Sequence, residues 1–231
     1  MRQQSVINLD PIDVQRSRQD SVLSRFFKTR HFKGKGGSYS EPYGHYLFCG
    51  RQGAGKTVSM IWFYELLRDK YSKKGYDVVL YANFHLKNCV YIKKSTFLKS
   101  IQSVEFDSSK VHIYLIDEIQ SWYPKDTRDK LLLKEIDDLT GEFSQLRKRN
   151  IYVLSTAQVY GRVNKNLREQ CLFMIDNRRS RLTRRYVSDF IDGDDILCDT
   201  LGRWSGIPSK IYVHGLPKLA FDTHERVSNS L

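Results

Sequence analysis

The chain has 231 residues, which is room for one α/β domain with extensions or at most two small domains. With 40% hydrophobic and 13% aromatic residues it can bury a real core, so wholesale disorder is excluded. Thirty-eight Lys and Arg against twenty-six Asp and Glu leave a net charge of +12, which predicts attraction to polyanions such as nucleic acid or an anionic membrane surface. No run approaches the roughly 18 apolar residues of a membrane span, and the segment from Met1 to Asn8 lacks the apolar stretch of a secretory signal. Cys49, Cys89, Cys171 and Cys198 lie far apart and no histidine pair has H-x-x-x-H spacing. Neither a disulfide framework nor a zinc site is expected, and a soluble protein of the reducing cytoplasm fits this cysteine usage.

Residues 1–44 are polar, basic and rich in turn formers, and read as an N-terminal arm and linker. Within them Val22 to Phe27 can make one helical turn, the alternative being a mostly disordered arm. From Tyr46 onward strands alternate with helical stretches, the pattern of a mostly parallel sheet flanked by helices. His45 to Cys49 is a first apolar strand, and Met60, Phe63, Tyr64 and Leu67 mark a helix over Ser59 to Tyr71. Asp77 to Ala82 reads as a strand, Ser95 to Val104 as a short helix and Val111 to Ile116 as a strand. Apolar residues at 132, 136, 139, 143 and 146 predict a helix from Leu131 to Lys148 whose basic end complements its dipole. Ile151 to Leu154 and Cys171 to Ile175 follow as strands. Arg184 to Phe190 and Lys210 to Val213 read as further strands, a hairpin-like extension of open pairing.

Gly50-Arg51-Gln52-Gly53-Ala54-Gly55-Lys56-Thr57 matches G-x-x-x-x-G-K-[ST] and sits between an apolar strand and an amphipathic helix. The glycines let successive N–H groups curl around one phosphate chain, and the helix start adds its positive dipole end. These residues, with Val58 at the helix start, form the expected ATP cradle, in which Lys56 reaches the β and γ phosphates and Thr57 ligates Mg²⁺. About sixty residues on, the strand from Val111 to Ile116 ends in Asp117-Glu118 and resembles a Walker B strand. Ligands of such sheets bind at the carboxyl ends of strands, so Asp117 is expected at the metal and Glu118 at the attacking water. Asp-Glu after a strand is also a common helix cap, which is the competing account.

Ser155-Thr156-Ala157-Gln158 ends the next strand, where Gln158 can bond a γ phosphate and a water and so report nucleotide state. Just before it, Arg147-Lys148-Arg149 ends the preceding helix. Arg147 or Arg149 can reach a neighbouring subunit's ATP as a finger, worth roughly 10³ to 10⁵ in rate, or can simply complement the helix dipole. A GTPase is disfavoured, because Asn164-Lys165-Asn166-Leu167 has Leu where a guanine-reading N-K-x-D motif needs Asp. The chain is too short for two motor domains, and a small-molecule kinase does not need so basic a composition.

The cradle, the Leu115-Ile116-Asp117-Glu118 strand end, the basic helix end and Ser155 to Gln158, in that order, resemble the FtsK/HerA superfamily of DNA-pumping ATPases. Within it the small size is similar to viral genome-packaging ATPases and Zot-like phage assembly ATPases. The resemblance covers about residues 45 to 180. It implies a RecA-like P-loop core at 45–180 between the arm at 1–44 and a C-terminal β extension at 181–231. It also implies ATP with Mg²⁺, a hexameric or pentameric ring, and DNA as the threaded polymer. The lack of a recognisable membrane anchor favours packaging over extrusion, with a cytoplasmic or virion-associated place and capsid or assembly proteins as further partners. An assembly switch acting through protein contacts and a metabolite kinase are the other readings, separated from the motor by whether DNA stimulates hydrolysis.

Two basic clusters are candidates for sequence-independent phosphate contacts: Arg178, Arg179, Arg181, Arg184 and Arg185, and then Arg162, Lys165 and Arg168. Each can equally be a solvated face. Trp122 and Tyr123, just past Glu118, suit either an exposed contact loop or buried packing.

Overall fold

In the computed structural model residues 41–180, 183–198 and 204–219 are described. The arm before Glu41, Arg181 and the segment Ala220 to Arg226 lie outside the described residues. The elements are β1 (Gly44–Cys49), α1 (Lys56–Ser72), β2 (Asp77–Ala82), β3 (Val90–Tyr91), α2 (Lys94–Gln102), β4 (Lys110–Ile116), α3 (Ile119–Trp122), α4 (Lys130–Phe143), β5 (Ile151–Ala157), α5 (Lys165–Glu169), β6 (Cys171–Arg179), β7 (Tyr186–Asp192), β8 (Leu197–Cys198), β9 (Trp204–Ser205) and β10 (Pro208–His214). Eight strands form one sheet in the order β10-β7-β6-β1-β5-β4-β2-β3, while β8 and β9 pair separately. Among the paired strands of the large sheet only β7 runs against the rest. The connection leaving β1 runs to β2 on one side, and the connection leaving β5 crosses to β6 on the other. That divergence opens a crevice at the carboxyl end of β1, the place where sheets of this kind bind ligands.

The central strands are apolar on both faces because helices cover both. On one face α1 sets Met60, Ile61, Phe63, Tyr64 and Leu67 against Tyr46, Phe48, Ile113 and Tyr152. On the other, Phe97 and Ile101 of α2, Trp122 of α3, and Ile136, Leu139 and Phe143 of α4 pack on Leu47, Tyr114, Ile116 and Val153. Burial of each such side chain contributes about 1.5 to 3 kcal/mol, which holds the strand ends at fixed heights.

The expected helix from Leu131 to Lys148 is shorter: α4 stops at Phe143, and Leu146–Arg149 form a separate 3₁₀ turn closed by Asn150 at φ 55°. The separate turn buries Leu146 fully, and left-handed Asn150 redirects the chain so that β5 starts at Ile151. The strands after Ser180 have a definite pairing: β7 lies antiparallel on β6 through Arg179↔Tyr186, and β10 antiparallel on β7.

His45 is buried in β1, with Nε2 2.7 Å from Ser155 Oγ and Nδ1 3.2 Å from Cys171 Sγ. Burial holds its pKa at about 3 against an ordinary 6.5, and burial also lowers those of His112 and His214. The unfolded chain therefore takes up protons at a higher pH than the folded one. Stability is full above the unfolded value and falls as pH drops below it, by about 1.4 kcal/mol per pH unit for His45, with His112 and His214 adding in the same direction. Denaturant midpoints should fall between about pH 7.5 and about pH 5.5, and His45→Gln should flatten that slope. An unchanged slope in the variant would contradict this account.

Candidate active site

The loop from Gly50 to Gly55 turns the chain from β1 into α1. Gly50, Gly53 and Gly55 have φ of 149°, 75° and 88°, values that side-chain-bearing residues rarely adopt. Two of them are also crowded. A Cβ on Gly50 would stand 2.7 Å from the Asn177 carbonyl oxygen, and one on Gly55 would stand 2.3 Å from the Tyr186 ring. Gly55 is the N-cap of α1, makes no side-chain cap, and is followed by a first turn without acidic residues. The unpaired N–H groups and the positive end of this helix are thus left to an anion. Lys56 Nζ lies 3.5 Å from the Arg51 carbonyl, folded over the loop, while Arg51 and Gln52 are exposed and Val58 is buried under the helix start.

The neighbouring strand ends meet this loop at one level, since β1 pairs with β5 through Cys49↔Ala157 and with β6 through Cys49↔Asp176. Thr57 Oγ1 donates to Asp117 Oδ1 at 3.1 Å, and Thr156 Oγ1 donates to the same oxygen at 2.5 Å. The Thr156 hydroxyl also accepts from the Glu118 N–H at 2.9 Å, so one buried oxygen ties both carboxylate residues together. Asn83, just past β2, clamps Asp117 by its backbone: its Oδ1 accepts the Asp117 N–H at 2.7 Å and its Nδ2 donates to the Asp117 carbonyl at 2.9 Å. Burial pushes the Asp117 carboxyl above its ordinary pKa, while the Thr156 and Thr57 hydroxyls and Lys56 pull it down.

Glu118 occupies the N-cap position of α3, yet its side chain caps nothing. Its Oε1 instead accepts from Gln158 Nε2 at 3.0 Å. Its backbone is left-handed, φ 55° and ψ 50°, a conformation that costs a side-chain-bearing residue about 1 to 2 kcal/mol. The structure thus brings Lys56, Thr57, Asp117, Glu118 and Gln158 to one end of the sheet. This is P-loop geometry.

Solved structures of similar fold include the N-terminal domain of zonular occludens toxin from Neisseria meningitidis, at TM-score 0.49 and 16% identity over 77% of this chain and 96% of that one. They also include the genome packaging NTPase B204 from Sulfolobus turreted icosahedral virus 2 with ATP-gammaS, at TM-score 0.46 and 12% identity over 77% and 100% of the two chains. A DnaB-like replicative helicase overlays at TM-score 0.47 and 11% identity, covering 64% of this chain and 51% of that one. No protein-family model and no curated protein sequence matches the chain.

The other expected site residues are placed differently from one another. Arg149 is committed within its own chain: its guanidinium donates to the Ile101 carbonyl at 2.9 Å and pairs with Glu142. Arg147 is exposed. Arg178 makes a two-pronged bridge to buried Asp189 at 2.6 and 3.1 Å, and Arg179 lies over the Tyr186 ring at 5.7 Å. Arg184 and Arg185 are exposed in the turn beside the cradle. Arg168 lies 5.0 Å over the Tyr160 ring and donates to Cys198 Sγ. Lys165 pairs with Glu169 at 3.6 Å, and Arg162 is exposed. Trp122 and Tyr123 are buried, so the packing alternative holds for them.

Sequence reading assigned no role to Thr156, Asn83, Tyr186 or Asn177. Asn177 Nδ2 donates to the Cys49 carbonyl at 3.1 Å, while its Oδ1 accepts from Ser188 Oγ at 3.0 Å, bracing the loop entry from β6 and β7. The available signal was position: Asn83 follows an apolar strand as Asp117 does. A cavity of about 620 Å³ lined by Tyr81, Val104, Phe106, Lys110 and His112 lies by the amino end of β4, away from the cradle.

Proposed function

We propose that the chain is a Mg²⁺-dependent ATPase that translocates DNA as a homomeric ring in viral genome packaging. The observation that carries this is the unbroken hydrogen-bond chain from Thr57 through Asp117, Thr156 and Glu118 to Gln158 beside the glycine loop. Thr57 and Asp117 present hard oxygen atoms side by side, the donor type that Mg²⁺ takes with waters and phosphate oxygens. Thr57 and Asp117 would hold such an ion, which would supply positive charge against the negative charge of the phosphates. Lys56 and the loop N–H groups hold the phosphates. Glu118 orients the attacking water and accepts hydrogen bonding from it, and Gln158, at its side, senses the γ phosphate. Exposed Arg147 serves a neighbouring subunit's site, since Arg149 is already engaged. Arg162, Lys165, Arg179, Arg184 and Arg185 contact DNA phosphates without reading bases.

The deciding experiment is steady-state ATP hydrolysis with and without double-stranded DNA at low and moderate salt. Strong stimulation that fades with salt is expected, and hydrolysis indifferent to DNA would overturn the translocase reading. Lys56→Ala should weaken ATP binding by about 10- to 100-fold, the worth of a lost charge-assisted bond. Undiminished binding would remove Lys56 from the site.

A further inference from the structure

Four polar side chains lie buried beside the glycine loop, and one of them, from the edge strand β10, touches the supports of both loop ends. Ser59 closes the first turn of α1, Asn177 stands in β6, Ser188 in β7 and His214 at the end of β10. His214 Nε2 lies 3.1 Å from Ser59 Oγ and 3.2 Å from Ser188 Oγ, and its Nδ1 lies 2.9 Å from the Gly215 carbonyl oxygen. Ser188 Oγ donates to Asn177 Oδ1 at 3.0 Å, and Asn177 Nδ2 donates to the carbonyls of Cys49 and Ile175 at 3.1 and 2.9 Å. Ring contacts fix His214 too: Trp62 of α1 stacks on it at 4.2 Å with 8° between the planes, and Tyr186, the ring against Gly55, lies at 5.7 Å. Past β10 the chain stays on α1, where buried Glu65 accepts the Lys218 and Leu219 N–H groups at 3.0 and 2.6 Å.

The directions of these bonds follow from what each group can do. A carbonyl oxygen only accepts, so Nδ1 carries the ring hydrogen and Nε2 is left as an acceptor. Burial disfavours the charged ring that would carry both hydrogens. Asn177 spends its amide hydrogens on two carbonyls, so its Oδ1 takes the Ser188 hydrogen. The hydrogen that reaches Nε2 is therefore that of Ser59. A buried hydroxyl or ring nitrogen left unpaired is costly, so each member holds the next in place. The loop from Gly50 to Gly55 is held at its entry through the Cys49 carbonyl, and just past its exit at Ser59, whose N–H closes on the Gly55 carbonyl at 2.8 Å. His214 meets both holds, accepting from Ser59 and packing its Nε2 edge on Ser188.

We propose that His214 is a positioning residue for phosphate binding, which sets the distance between the two ends of the glycine loop and so the aim of the loop N–H groups. The proposal rests on the ATPase reading and adds to it a residue from the last strand of the sheet, outside every motif. In the strand order β10 and β4 lie on opposite sides of β1, so the effect falls on phosphate binding and leaves the chemical step on the Glu118 side unchanged.

The test uses the full chain in steady-state ATP hydrolysis, with hydrogen exchange of residues 50–58 read in parallel without nucleotide. His214→Leu, which offers Ser59 no acceptor, should raise KM for ATP about 3- to 10-fold, the worth of one or two neutral hydrogen bonds, with kcat within about twofold. Its loop amides should exchange faster, while those of β4 and β5 keep their parent rates. Ser59→Ala, which a helix accepts readily and which carries the test should the leucine variant not fold, should do the same. Combining the two should cost nothing further. His214→Gln, whose amide oxygen can take the Ser59 hydrogen, should restore most of the parent KM. A lowered kcat at the parent KM would mean only a loss of folded protein and would overturn the positioning role. Additive effects of the two substitutions, or no rescue by glutamine, would overturn the route through Ser59. A parent that hydrolyses no ATP would sink the function proposed above. Loop exchange would then decide the brace by itself, faster exchange in His214→Leu upholding it and unchanged exchange overturning it.

Discussion

Glu118→Gln should bind ATP as tightly as the parent and hydrolyse it about 10² to 10⁴ times more slowly, the span expected when a positioned acid–base group is lost. The variant is isosteric, and its amide oxygen can still accept from Gln158 Nε2, which now lies 3.0 Å from Glu118 Oε1. The N–H of residue 118 keeps its bond to Thr156, so the backbone around Asp117 is undisturbed. What disappears is the carboxylate's negative charge and its basicity toward water. Single-turnover hydrolysis beside equilibrium nucleotide binding separates the two effects. Normal turnover would move the water-orienting role to another residue.

Gly55→Ala should destabilise the chain by about 3 kcal/mol and abolish tight nucleotide binding, since two costs fall on one atom. The backbone there is left-handed at φ 88°, and the new Cβ would stand 2.3 Å from the Tyr186 ring, which is buried and flanked by His214 at 5.7 Å. Gly53→Ala is the internal control, because its φ is 75° but nothing lies within 4 Å of an added Cβ. It should show the strain alone, about 1 to 2 kcal/mol. The double variant Gly55→Ala/Tyr186→Ala should recover part of the packing cost, and the coupling between the two sites can be read from a double-mutant cycle. Equal losses for Gly53→Ala and Gly55→Ala would mean that the Tyr186 contact carries no weight.

Much of this site was legible in the sequence. The loop motif, the apolar strand ending in Asp117-Glu118 and the polar end at Gln158 depend on local spacing, and each falls within one element and its following turn. The alternation of strands and helices likewise announced the mostly parallel sheet, because both faces of β4 and β5 are apolar and only helices on both sides can cover them. Less could be read where long-range register decides. Thr156 gains its importance only because β5 stands beside β4, with Leu154 opposite Leu115, so that its hydroxyl meets both carboxylate residues. Asn83, just past β2, and Asn177, in β6, act on the site for the same reason. Tyr186 owes its place on Gly55 to the antiparallel return of β7, whose pairing the sequence left open. The helix after Lys130 was overrun because apolar spacing continues through Leu146, and spacing alone does not distinguish an α turn from a 3₁₀ turn.

The left-handed backbone at Glu118 bears on how this chain can change over generations. Gly or Asn would sit there with less conformational cost, so drift toward stability alone pulls position 118 away from a carboxylate. Under the water-orienting role proposed for it, what the side chain does would hold the residue against that pull, and the surrounding sheet, apolar on both faces, would supply the margin that lets it stay. A chain of this kind that lost its chemical task would be expected to relax first at this position, well before its glycine loop.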